Sequence, residues 1–219
     1  MDVIIKLAEA LWHHDIALLS NPSLVWTLYG ILFITIMLEN GILPAAFLPG
    51  DSLLILVGVL AAKGTLNFPV ALLLLTAAAA IGSWLGYIQG RWLGNTDTVK
   101  RWLSHIPEQY HQRSHTLFHK HGLAALFIGR FLAFIRTMLP TLAGISGLSS
   151  RRFMFCNWMS SFLWITILTS IGYFLGNSSL FNRYEDEIFR LLVLIPAALL
   201  VLGLISSIAV VFRKKNKLK

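Results

Sequence analysis

Apolar residues run in long blocks along this chain, and polar ones interrupt them at only a few places. Four blocks read as membrane-crossing helices, at roughly residues 24–38, 68–92, 153–175 and 188–212. Two more, 43–62 and 123–148, are as apolar but are broken by proline, glycine and charge. Residues 1–15 carry Asp2, Glu9 and Asp15 and lack the basic start and apolar core of a cleavable signal. The opening segment, 1–20, reads instead as an amphipathic helix lying on the membrane, with Pro22 suited to the first turn of the next helix. The pattern predicts an all-α polytopic membrane protein with about four transmembrane helices and two re-entrant helical hairpins. Its single transmembrane domain would span 24–212, with hairpins at about 40–62 and 123–148 and a basic tail at 213–219. The layout of two broken hairpins, each followed by a long span, matches an inverted-repeat transporter, although no clear residue-level repeat is visible.

Composition agrees. The chain has 219 residues, 56% hydrophobic and 13% charged, about half the charge of a typical globular domain. Cys156 is the single cysteine, so an internal disulfide is excluded, and in an apolar run it reads as a packed thiol. The net charge of +8 would suggest nucleic acid in a soluble protein. Here its placement has another explanation. If the four blocks span and each hairpin returns to its own side, thirteen cations share a side with both termini, against Lys63, Arg183 and Arg190 on the other. That bias predicts cytoplasmic termini and no nucleic-acid partner.

The broken segments carry the chemistry. In "LENGILPAAFLPGDS", residues 38–52, a helix ending at Leu38 would be about 22 Å long, short of a hydrocarbon core of about 30 Å. Glu39 would then lie below the membrane surface. Pro44, Pro49 and Gly50 are expected to break the hairpin, and Asp51 or Ser52 to cap a half-length helix. The second segment, "LAALFIGRFLAFIRTMLPTLAGISG", places Arg130 and Arg136 ahead of Pro140 and Gly144, which are taken as its break. Six residues turn a straight helix by about 600°, so the two arginines would face apart. Either the helix breaks near residues 133–134, or the arginines serve different partners. Four ionised groups near a bilayer centre would cost on the order of 10 kcal/mol if left alone. They must be paired, hydrated or partly protonated, as a structural ion-pair clamp or as a functional site.

Three motifs carry a resemblance to a known family: "ENGILPAAFLPGD" at 39–51, "GSWLGYIQGR" at 82–91 and "GRFLAFIRTMLPTLAG" at 129–144. Together they resemble the DedA family of bacterial inner-membrane proteins, whose domain is shared with the eukaryotic VTT lipid scramblases. The likeness is greatest to its paired enterobacterial members, associated with cell division and envelope integrity. One departure is "FLAF", where the family often has a proline soon after the first arginine. The resemblance implies a multi-pass inner-membrane transporter, driven by the proton motive force, that moves polyprenyl-phosphate carriers or phospholipids. It places the essential acids at Glu39 and Asp51 and the essential bases at Arg130 and Arg136. Elementary chemistry agrees: guanidinium forks match phosphate oxygens, and burial favours the neutral form of a carboxyl, so an acid there can take up a proton. A half-helix N-terminus near Asp51 would add positive dipole.

The remaining motifs have plainer readings. Gly82, Gly86 and Gly90 line one helix face and would let a neighbour approach closely. Tyr87 and Arg91 are accessory candidates, with Arg91 either a headgroup anchor or part of substrate entry. His111, His115 and His119 have the spacing of a metal stripe, yet their neighbours suit a solvated interfacial helix, so no metal is expected. Spacing justifies no nucleophile–base pair and no phosphate-cradling loop, so neither an enzyme nor a cofactor is expected. Three functions stay open: a lipid-phosphate translocase, a proton-coupled exporter of small cations or drugs, and a scaffold for division or export machinery. A homodimer is compatible with each.

Overall fold

The computed structural model describes residues 22–42, 50–94, 96, 127–184, 187–188 and 194. The expected amphipathic helix at 1–20, the tips at Pro44 and Pro49, the histidine-rich segment, most of the fourth block and the basic tail lie outside these residues. Among the described residues six helices and no strand occur. They are α1 (Pro22–Gly41), α2 (Gly50–Ala62), α3 (Phe68–Gly94), α4 (Ala133–Ile145), α5 (Ser150–Gly176) and α6 (Ser179–Arg183). Of these, α1, α3 and α5 are long and apolar enough to cross a membrane, and α2 is a shorter apolar helix.

The first long helix is longer than its sequence suggests. At twenty residues, α1 spans about 30 Å and runs past Leu38, through Glu39, to Gly41. Leu24, Leu28, Leu32, Ile36 and Glu39 are buried along one stripe, while Trp26 and Ile34 are exposed on the other side. A helix with apolar residues on its exposed face suits lipid rather than water.

Each short helix ends the same way. After α2, Gly64 takes φ +80°, with Gly64 N–H donating to Ala61 O (3.1 Å) and Thr65 N–H to Leu60 O (3.0 Å). After α4, Gly147 takes φ +72°, with Gly147 N–H donating to Gly144 O and Leu148 N–H to Ala143 O, both at 3.2 Å. This is the Schellman arrangement, which needs a left-handed residue and therefore favours glycine. Beyond the first turn, Asn67 Oδ1 accepts from Val70 N–H (3.2 Å) and caps the start of α3.

Two compact units divide the chain, one drawn from Met1–Thr35, Phe47–Leu75 and Ile165–Lys219, the other from Ile36–Ala46 and Thr76–Trp164. Within the first, α2 packs on the C-terminal half of α5. A Cβ on Gly172 would strike the backbone of Ile55, one on Gly58 the backbone of Thr169 and Tyr173, and one on Gly176 would meet Ala62 Cβ and press on the backbone of Val59. Within the second, α4 packs on the C-terminal half of α3. There a Cβ on Gly90 would strike Thr141, one on Gly144 would strike Tyr87 and Arg91, and one on Gly94 would press on Ile145. The two sets correspond contact for contact. A thirteen-residue helix, a glycine turn and a twenty-seven-residue helix occur twice, and each short helix packs on the long helix of the other copy. Matched by their turns, Gly64 and Gly147, the second contact falls three residues further along the short helix and one further along the long one. A residue-level repeat that the sequence hides is therefore present in the packing.

Several sequence expectations change. The helix starts at Gly50, so Asp51 lies in its first turn rather than at its N-cap, and Gly50 is a helical residue rather than the break. Pro140 and Gly144 are also inside a helix, α4. The interruption falls earlier, at residues 130–132, between a single helical turn at 127–129 and α4. Proline's missing N–H costs one helical bond at position 140, whereas Gly144 stays helical because its bare Cα is what admits α3.

Candidate functional site: a buried arginine pair

The break at 130–132 decides the geometry. A straight helix would turn Arg130 and Arg136 away from each other, but here a turn at 130–132 interrupts the helix. Phe131 N–H donates to Ile128 O and Leu132 N–H to Gly129 O, both at 3.1 Å, before α4 begins. Gly129 packs against Leu139 and Ile135 of α4, where a side chain would collide. Both guanidinium groups consequently reach the face of Trp164, on α5, Arg136 at 4.5 Å and Arg130 at 5.8 Å from the ring centroid. Trp164 is itself buried, and a desolvated cation over an indole face is stabilised by about 2 kcal/mol.

The two arginines take different partners. Arg136 Nη2 donates to Glu39 Oε1 in a buried ion pair. Glu39 is fully buried and Arg136 is 4% exposed. The acid comes from the last turn of the long helix α1, not from a broken loop. Gly41 and Gly82 bring that turn against α3: a Cβ on Gly82 would strike Met37 O, and one on Gly41 would strike Gly82 O.

Arg130, 5% exposed, is held only by neutral acceptors among the described residues. Its Nη1 donates to Asn157 Oδ1 (2.9 Å) and Ser160 Oγ (3.4 Å). Its Nη2 donates to Ser83 Oγ (3.2 Å) and Ala79 O (3.3 Å). Its Nε has no acceptor among the described residues. Both arginines, with Leu139, Pro140, Phe153, Asn157 and Ser160, line a cavity of about 10 Å³, the room of one water molecule.

Three of the four charged residues singled out by sequence thus come together in one unit: Glu39, Arg130 and Arg136. Asp51 belongs to the other unit, half-buried in the first turn of α2. Tyr87 is buried beside the site rather than in it. Its hydroxyl donates to Leu148 O (2.6 Å), and its ring stacks on Phe153 at 4.5 Å, so it ties the turn after α4 to α3. Arg91 is exposed in the last turn of α3. The glycine stripe packs as expected, but against two helices: Gly82 meets α1, Gly90 meets α4, and Gly86 touches both. Among the described residues no cluster of metal-ligating side chains occurs. Sequence reasoning missed Asn157, Ser160 and Trp164. They had a signal, since with Ser161 they recur at three- and four-residue steps on one face of an apolar helix.

The VTT domain matches residues 48–174, more than half of the chain. The chain belongs to the DedA (VTT-domain) family. It is 59% identical over 215 residues to inner membrane protein YqjA of Escherichia coli K12, covering 98% of both chains. It is 55% identical, with the same coverage, to inner membrane protein YghB of Salmonella typhimurium LT2. Protein DedA of Escherichia coli K12 is 31% identical over 220 residues, 99% of this chain and 97% of that one. No solved structure matches. Arg130 and Arg136 fall inside the VTT match, whereas Glu39 precedes it, so the ion pair joins the family's domain to the helix ahead of it.

Proposed function

We propose that this protein is a multi-pass inner-membrane translocase for lipids with a phosphate headgroup, polyprenyl phosphate or phospholipid, coupled to protons. One observation carries the reading: two buried arginines share a site where, among the described residues, Glu39 is the carboxylate in contact. Arg130, held by neutral acceptors, keeps a buried positive charge that is costly until an anion enters, and guanidinium forks suit phosphate oxygens. The same charge repels cations, which weighs against export of small cations or drugs. Membership of a family whose relatives are named inner membrane proteins supports the location. The excess of cations on one side supports cytoplasmic termini.

The cavity has room for about one water molecule, so the proposed cycle requires it to widen before a phosphate enters. In the proposed cycle the headgroup replaces Glu39 on Arg136, and a proton taken up by Glu39 releases that ion pair. Asp51 is the second proposed acid, on the ground of its motif alone. Reconstitution in liposomes with labelled polyprenyl phosphate at two pH values tests this. Wild type is expected to equilibrate the lipid between leaflets, and Arg136→Ala to lose roughly tenfold or more of the rate. Equal rates for the two proteins would overturn the translocase reading and favour a scaffold. Unchanged pH dependence in both Glu39→Gln and Asp51→Asn would overturn the coupling.

A further inference from the structure

We propose that Asn157 is a positioning residue that keeps Arg130 in place without neutralising it. The proposal rests on the headgroup reading above and names the device that makes Arg130 the anion-seeking member of the pair.

Asn157, 3% exposed, is held at both ends of its amide. Its Nδ2 donates to Ala80 O (2.8 Å) and its Oδ1 accepts from Arg130 Nη1 (2.9 Å). The reverse orientation would set an NH₂ against a guanidinium and an oxygen against a carbonyl, so the network fixes which end faces the arginine. Ser160 adds to the same seat: its Oγ donates to Asn157 O (3.2 Å) and turns a lone pair toward Arg130. Ser83 and Ala79 O complete it from α3. Every acceptor is uncharged. A protein needing only to bury this arginine would gain from an acid at 157, since a carboxylate can accept two parallel guanidinium N–H bonds and also neutralises the charge. Asparagine forgoes that strength and leaves a full positive charge beside the cavity. Selectivity for anions then depends on the absence of charge at position 157.

The test uses the full chain in nanodiscs with farnesyl phosphate, inorganic phosphate and uncharged farnesol as probes, and a thermal melt of each variant. Asn157→Asp retains an acceptor toward Arg130 and gives up the donor to Ala80 O, a loss that the new ion pair with Arg130 offsets. It is expected to melt within a few degrees of wild type yet to weaken farnesyl phosphate binding roughly thirtyfold or more. Asn157→Ala, which keeps the surplus charge, is expected to lose only a few-fold. Glu39→Gln added to Asn157→Asp removes one negative charge elsewhere in the cluster and is expected to recover most of the affinity. A purely packing role moves the other way, with Asn157→Ala the worse variant and no recovery in the double substitution. That outcome, or Asn157→Asp binding as wild type does, overturns the proposal while leaving the headgroup reading standing. Wild type that prefers neither phosphate to farnesol overturns both. Equal binding of farnesyl phosphate and inorganic phosphate keeps the role of Asn157 and makes the ligand a free anion.

Discussion

At the scale of single residues, the site is a competition among a few buried polar groups, and its outcome depends on who holds whom. Arg136 has a carboxylate and Arg130 has an amide, two hydroxyls and a carbonyl. Burying an ion pair does little for stability compared with apolar packing, but removing one member leaves the other stranded. Glu39→Ala and Arg136→Ala are each expected to destabilise the protein by about 3–5 kcal/mol, measured by unfolding in mixed micelles. The double substitution should cost about 2–3 kcal/mol less than the sum of the singles. Strict additivity would mean that the two side chains do not interact in the membrane. The chemical identity of Glu39, Arg130 and Arg136 as candidates was legible in the sequence because charge is rare inside apolar blocks. Asn157 and Trp164 were not singled out: their polar stripe with Ser160 and Ser161 was visible in the sequence, but not the guanidinium groups it faces.

At the scale of elements, glycine determines how closely the helices approach. Each short helix meets its long partner through backbone rather than side chains, which van der Waals packing in lipid rewards. Gly90→Ala and Gly172→Ala would each drive a methyl group into a neighbouring backbone, at Thr141 and Ile55 respectively. Each is expected to cost about 1–3 kcal/mol of stability. Gly30, also helical, has nothing within 4 Å of where a Cβ would stand. Gly30→Ala should therefore be neutral or stabilising by up to about 1 kcal/mol. Thermal melts of the three variants in detergent check the contrast, and equal melting temperatures would contradict the observed packing. Element boundaries show why sequence reading misplaced the breaks. Pro140 and Gly144 are strong local breakers, but Gly144 sits where α3 needs room. The actual break at residues 130–132 contains no proline or glycine and follows Gly129, whose packing against Leu139 turns the chain. Tertiary contact, rather than local propensity, chose the hinge.

At the scale of the whole molecule, one motif is used twice. A thirteen-residue helix, a left-handed glycine and a twenty-seven-residue helix recur, and each copy supplies the short helix that packs on the other's long one. Function is not duplicated with the scaffold: the arginine pair follows from the second copy, and the acid it binds comes from the helix before the first. Charge distribution sets the proposed orientation. Cysteines introduced one at a time near residues 3 and 216 are expected to react with an impermeant thiol reagent only from the cytoplasmic face, with Cys156 replaced by serine. Labelling of either position from outside would reverse or refute that topology.

The sequence by itself determined the solvent of this protein, its helical class, its family and three of the charged groups at its centre. Composition, hydrophobic block length and rare charge act locally and survive any rearrangement of the chain. Only the tertiary structure decided that Arg130 and Arg136 face the same indole, that Glu39 belongs to a helix end rather than a loop, and that a neutral asparagine seats the second arginine. Those outcomes depend on where distant backbone segments approach each other. That approach is set by missing side chains at glycine, and no reading along a single chain shows what stands opposite an absent Cβ.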